Sequence, residues 1–99
     1  MKVYVVVRKD LRLSSSAVQA GHALAELCLN HDLVDWATKH RTLVYLKASD
    51  EKMLLETFDN IRIKEKAIFQ EPDLGNEFTA FAVLAKENEY SFFKGIPLL

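Results

Sequence analysis

The run Val3-Tyr4-Val5-Val6-Val7 limits the fold more than any other segment of this chain. Valine and tyrosine favour extended backbone. Successive side chains of a strand point to opposite faces, so a strand with no polar alternation is covered on both. The run ends in Arg8-Lys9-Asp10-Leu11-Arg12-Leu13, a charged stretch that reads as a loop. In α/β proteins ligands bind beyond the carboxyl ends of strands, so this loop is the first place to look for a site.

Beyond it, any of Ser14, Ser15 and Ser16 can cap a helix running from about Ser15 to Asn30. Ala17, Ala20, Gly21, Leu24, Leu27 and Cys28 recur at spacings of three and four and define an inner face. Val18, Ala25 and Leu29 widen it, leaving Gln19, His22, Glu26 and Asn30 as a narrow polar strip. Asp32 can start a second helix over Leu33 to Lys39, with Leu33, Trp36 and Ala37 inward. Thr42 to Lys47 reads as a strand. Ser49 or Asp50 caps a helix to about Asn60, with Leu54, Leu55, Phe58 and Ile61 inward. Ala67 to Gln70 and Phe78 to Lys86 read as strands of a hairpin across the turn-rich Glu71 to Asn76. The order β-α-α-β-α-β-β predicts an α/β fold with a mixed sheet. A ferredoxin-like sandwich fits less well, because only one strand separates the first helical block from the next helix. The tail Tyr90 to Leu99 is apolar enough to pack on the domain or on a second subunit.

Ninety-nine residues suit one domain spanning 1–99. Thirteen Lys and Arg against fourteen Asp and Glu give a net charge of -1, without the basic excess of a strong non-specific nucleic-acid binder. The single cysteine, Cys28, cannot form an internal disulfide and points to a reducing compartment. It lies on the inner helix face and reads as a buried thiol. No apolar run is long enough to span a membrane, and the start lacks a secretory signal pattern, so a cytoplasmic location is expected.

No metal-ligand spacing, P-loop, dinucleotide fingerprint or nucleophile elbow occurs, so neither metal nor cofactor is expected. His22 on the polar strip can take a proton or orient water, or it can be a structural histidine. Gln19, one turn earlier, can face the same ligand. Arg8, Lys9 and Arg12 with the serines at a helix start make a candidate phosphate site, against the plainer reading of a solvated loop. Within Glu71-Pro72-Asp73-Leu74-Gly75-Asn76-Glu77 two carboxylates could serve as base or orient water. Thr79 could bind a carbonyl or simply favour the strand.

Val6-Val7-Arg8-Lys9-Asp10-Leu11-Arg12-Leu13, followed by Gln19-Ala20-Gly21-His22-Ala23, resembles the opening of type 2 peptidyl-tRNA hydrolases. Phe78-Thr79-Ala80-Phe81-Ala82-Val83-Leu84 is similar to that family's threonine-led last strand. The resemblance implies a three-layer α/β/α domain with a four-stranded mixed sheet, often a homodimer. The implied activity is metal-independent hydrolysis of the ester joining a peptide to the terminal ribose of tRNA. Carried onto this chain, it implies His22, Asp73 and Thr79 as catalytic residues. Substrate contacts would come from Arg8, Lys9, Asp10, Arg12, Ser15 and Gln19. Two positions depart from the family. Ser15 stands where the family has a lysine four residues before the glutamine. The turn at Glu71 to Gly75 replaces an aspartate-alanine-glycine turn, with Asp73 the nearest aspartate. The alternatives are a non-catalytic RNA- or nucleotide-binding regulatory module on the same fold, and a hydrolase of smaller esters or amides.

Overall fold

The computed structural model describes Met1 to Leu99. Its elements are β1 (Lys2–Arg8), α1 (Leu13–Asn30), a π-helical turn (Trp36–His40), β2 (Thr42–Ala48) and α2 (Glu51–Asn60). There follow β3 (Lys66–Glu71), a 3-10 turn (Pro72–Leu74), β4 (Glu77–Ala85) and a closing 3-10 segment (Glu87–Phe93). The four strands lie in the order β2-β1-β4-β3. β1 runs parallel to β2, and β4 runs antiparallel to both β1 and β3. This is the mixed sheet and α/β class expected from the strand and helix pattern.

β1 is central and its apolar run serves two cores. Val3, Val5 and Val7 pack with Ala20, Ala23 and Leu27 of α1. Tyr4 and Val6 pack with Leu54 of α2 and with Phe81 and Val83 of β4 on the opposite face. Each fully buried valine stabilises the fold by about 1.5–3 kcal/mol relative to leaving it in water. Helices therefore cover both faces, giving three layers. No helix is long and apolar enough to cross a membrane.

α1 differs from expectation at its start and in its phase. It begins at Leu13, and its N-cap residue Arg12 makes no side-chain capping bond. The serines lie inside the first turn, where Ser16 Oγ donates to the Arg8 carbonyl at 3.4 Å. The buried positions are Ser16, Gln19, Ala20, Ala23 and Leu27. Leu13, Val18 and Leu29 are 80%, 55% and 79% exposed. Ala17, Gly21 and Cys28, expected inward, also face solvent. The small side chains of Ala20 and Ala23 let the helix lie close on the sheet, and that contact fixes the buried stripe. Gln19 enters the interior because partners await it there.

The expected second helix is a turn closed by Arg41 in the left-handed conformation, at φ 64°. Leu33 is buried, and Trp36 Nε1 donates to the Thr42 carbonyl at 2.8 Å. Ala37, expected inward, is exposed. α2 is capped by Asp50, whose Oδ1 accepts from the Met53 amide at 2.9 Å. The apolar tail packs on the domain. Phe93 stacks on Tyr4 at 3.9 Å between centroids. Leu98 bridges Leu46, the Lys47 amide donates to the Pro97 carbonyl at 2.9 Å, and the Leu99 amide to the Tyr45 carbonyl at 3.0 Å. The outer edge of β2 is thereby covered, which removes a template for unwanted strand pairing.

One irregularity in the β3–β4 hairpin sets up the site. Phe69 lies opposite Ala80, but the next residue of β3, Gln70, lies opposite Phe78. Thr79 is therefore an extra residue in β4, a β-bulge that re-aims a side chain. Ala80 still faces the α1-side core, Phe78 packs on the α2 side, and Thr79 also reaches toward α1.

Candidate active site

A cleft of about 360 Å³ opens between the first turns of α1 and the end of β3 with its following turn. Ser15, Gln19 and His22 line it from the helix, and Glu71 and Asp73 from the hairpin. Residues 15, 19 and 22 are one helical turn apart and share a face. Glu71 reaches the same place because residues 67, 69 and 71 alternate onto the α1 side of β3. Ala67 and Phe69 on that side belong to the apolar core around α1.

Behind the cleft lies a buried polar chain. Thr79 Oγ1 donates to Gln19 Oε1 at 2.7 Å, and Gln19 Nε2 donates to Glu71 Oε2 at 2.9 Å. The Asp73 amide donates to Glu71 Oε1 at 3.1 Å. Thr79 is fully buried, and Gln19 and Glu71 are 5% and 7% exposed. The chemistry fixes the direction of the chain. An ionised carboxylate only accepts, so the amide nitrogen of Gln19 must face Glu71 and its oxygen must face the hydroxyl. Gln19's hydrogen bond, the Asp73 amide and the charge of His22 hold the Glu71 carboxyl below its ordinary range, although burial opposes them. No buried side-chain polar atom is left without a partner.

His22 stands at the mouth of this chain. Its ring stacks on Phe69 with centroids 4.4 Å apart and planes within 10°. Its Nε2 lies 4.0 Å from Glu71 Oε2, too long for a hydrogen bond but close enough for an ion pair once the ring is protonated. The imidazole side chain is 47% exposed. The cleft thus presents a solvent-reachable base above an ionised carboxylate that can stabilise its charged form.

The remaining positions picked out from the sequence fall elsewhere. Arg8 is buried and donates four hydrogen bonds within the protein. Its Nε and Nη2 donate to the two carboxylate oxygens of Asp10 at 3.0 and 2.7 Å, and its Nη1 donates to Glu77 Oε1 at 2.7 Å and the Phe78 carbonyl at 3.2 Å. Asp10's hydrogen bond is the main influence raising the arginine pKa, and Arg8 in turn lowers that of Asp10. Arg8, braced by Asp10, thus clasps the end of β1 to Glu77 and Phe78 at the start of β4. Arg12 is exposed at the start of α1, and Lys9 lines a separate cavity on the α2 side. Asp73 reaches the cleft, but the carboxylate joined to Gln19 is that of Glu71. The signal for Glu71 was its parity with Ala67 and Phe69, which puts a carboxylate on the core face of its strand. No lysine or arginine lines the cleft.

Fold and cleft together define a class: a three-layer α/β domain with a polar site between its first helix and its last hairpin. The sequence pattern of the family described as "Peptidyl-tRNA hydrolase PTH2" matches residues 1–75 of the 99, and the chain belongs to that family. The match takes in β1, both helices and Glu71, and ends before Thr79. No curated protein matches the chain in sequence.

Proposed function

We propose that the protein hydrolyses the ester between a peptide and the terminal ribose of tRNA, without a metal. The observation that carries this reading is the exposed His22 ring, stacked on Phe69 and set over the Thr79–Gln19–Glu71 chain. It occurs in a chain of the peptidyl-tRNA hydrolase family. In the proposed step a water oxygen attacks the ester carbonyl carbon while His22 takes its proton. The carbon–oxygen bond to the ribose then breaks, and His22 returns the proton to the departing ribose oxygen. Glu71 stays ionised and stabilises the imidazolium. Gln19 and Thr79 act as positioning residues that hold Glu71. Ser15 and Asp73 line the substrate side of the cleft, with the Ser15 hydroxyl where the family carries a lysine.

General acid–base catalysis contributes about 10²–10⁴-fold, so His22→Ala should lower single-turnover hydrolysis of a peptidyl-tRNA by that factor. Failure of the wild-type protein to hydrolyse it at high enzyme concentration refutes the reading. A cytoplasmic location and a homodimer go with this function, and sizing by light scattering checks the dimer.

The cleft's lack of lysine and arginine favours a second reading, a non-catalytic module that holds an RNA end or a nucleotide. Binding of the same tRNA by the wild type with no turnover identifies it.

A further inference from the structure

We propose that Phe69 is a positioning residue for His22: it fixes the plane of the imidazole so that the ring presents Nε2 to Glu71. Its part in catalysis rests on the hydrolase reading; its hold on the ring does not. His22 needs such a hold. The last torsion of a histidine side chain is broad, with no staggered well to set the ring plane. The ring makes no hydrogen bond, and its Nε2 stands 4.0 Å from Glu71 Oε2. The contact that sets its plane is the stack on Phe69, with centroids 4.4 Å apart and planes within 10°.

The strand explains why Phe69 can do this. Phe69 and Glu71 share parity on β3, so neighbouring positions of one face supply a partner for the flat side of the ring and another for its edge. Phe69 pairs with Ala80 at the last regular position before the bulge and packs on the α1-side core. Its ring is therefore anchored to the sheet, whereas His22 projects from a helix toward solvent. Glu71 is anchored separately, by Gln19 Nε2 and the Asp73 amide. The arrangement matters when His22 takes a proton. An aromatic face attracts a cation within about 6 Å of its centroid, and the 4.4 Å stack lies inside that reach. Phe69 thus attracts the imidazolium from the face while Glu71 attracts it from the edge. Both attractions are stronger for the charged ring than for the neutral one, so both favour the step in which water loses its proton. Phe69→Leu keeps an apolar side chain on the strand but offers neither a flat surface nor a π face.

The test reads the ring first and then the rate. In NMR spectra of the full chain, the ring protons of His22 should lie upfield, because the imidazole sits over the face of Phe69. They should return toward the position of an exposed histidine in Phe69→Leu and stay upfield in Phe69→Tyr. Single-turnover hydrolysis of a peptidyl-tRNA at saturating enzyme should fall about 2- to 13-fold in Phe69→Leu, the range an aromatic stack supplies. The enzyme concentration giving half the maximal rate should not change, and Phe69→Tyr should keep the rate. On the His22→Ala background Phe69→Leu should leave the residual rate unaltered, because Phe69 acts through the imidazole. Phe58→Leu removes an aromatic ring from the α2-side core and should change neither the His22 resonances nor the rate. His22 resonances that stay in place in Phe69→Leu overturn the proposal. So does an equal loss of rate in Phe58→Leu, or a loss that persists on the His22→Ala background. If Phe69→Leu does not fold, Phe69→Ile carries the same comparisons. A wild type with the upfield resonances and no turnover fails the hydrolase reading and leaves the hold of Phe69 on the ring standing.

Discussion

Replacing Thr79 by valine removes one hydroxyl from the centre of the protein and leaves nearly the same shape behind. Its hydroxyl donates to Gln19 Oε1 at 2.7 Å, from a side chain with no solvent exposure. In the variant that oxygen keeps its buried position and loses its donor. An unsatisfied buried acceptor costs about 1–3 kcal/mol. For a domain near this size about 1 kcal/mol shifts the melting temperature by about 4–8 °C, so a fall of at least about 4 °C is expected. Thr79→Ser keeps the donor and loses a methyl group, at about 1 kcal/mol. The distinguishing measurement is a double-mutant cycle by urea denaturation of Thr79→Val, Gln19→Leu and the pair. Once Gln19 is gone, the hydroxyl has lost its acceptor, so the two changes should fall short of additive by about 1 kcal/mol or more. Single-turnover hydrolysis should also fall more in Thr79→Val than in Thr79→Ser, because only the former frees Gln19 to rotate away from Glu71. Additive energies within about 0.5 kcal/mol would refute the connected chain, whatever the activity did.

Other outcomes follow from the charged groups. Glu71 and Asp10 both have folded-state pKa values below their unfolded values of about 4.3 and 3.9. Their stabilisation is therefore complete above those values and is lost as pH falls through the folded ones. The urea midpoint should drop steeply below about pH 4, and Glu71→Gln should flatten that drop; an unchanged profile counts against the Glu71 interactions. Arg8→Ala should cost roughly 1–2 kcal/mol in urea denaturation, a modest figure because Asp10 and Glu77 remain partly exposed to water. Arg8→Ala should leave the salt dependence of RNA binding unchanged, since the guanidinium is spent within the protein; a lower slope would place Arg8 on the phosphates instead.

The strand and helix order was legible because β1 and the two helices carry periodic apolar patterns over several residues. The phase of α1 was not. Nearly every position of that helix apart from Gln19, His22, Glu26 and Asn30 is apolar or small, so several stripes could have faced the sheet. The outcome turned on Gln19, whose burial is stabilised by groups 52 and 60 residues away in the chain. No local pattern announces such partners. Gln19 and His22 could be paired from their spacing alone, whereas the choice between Glu71 and Asp73 needed the strand register. Arg8 looked free for phosphate because its neighbours Lys9 and Arg12 suggested a basic patch. Its actual partner Glu77 arrives from the far end of the chain.

The extra residue in β4 has an evolutionary consequence. A strand normally forces a residue serving a site to share the parity of its neighbours in the core, so changing one disturbs the other. By taking Thr79 out of the pairing count, the bulge lets the same strand carry an unbroken packing pattern from Ala80 to Ala85 and still deliver a hydroxyl to α1. Sequence drift in the strand's packing half and drift at the site are then separable events. A one-residue deletion at Thr79 would couple them again. It would restore regular pairing and withdraw the donor in the same step, and it would tell whether the irregularity exists for the chemistry or for the fold.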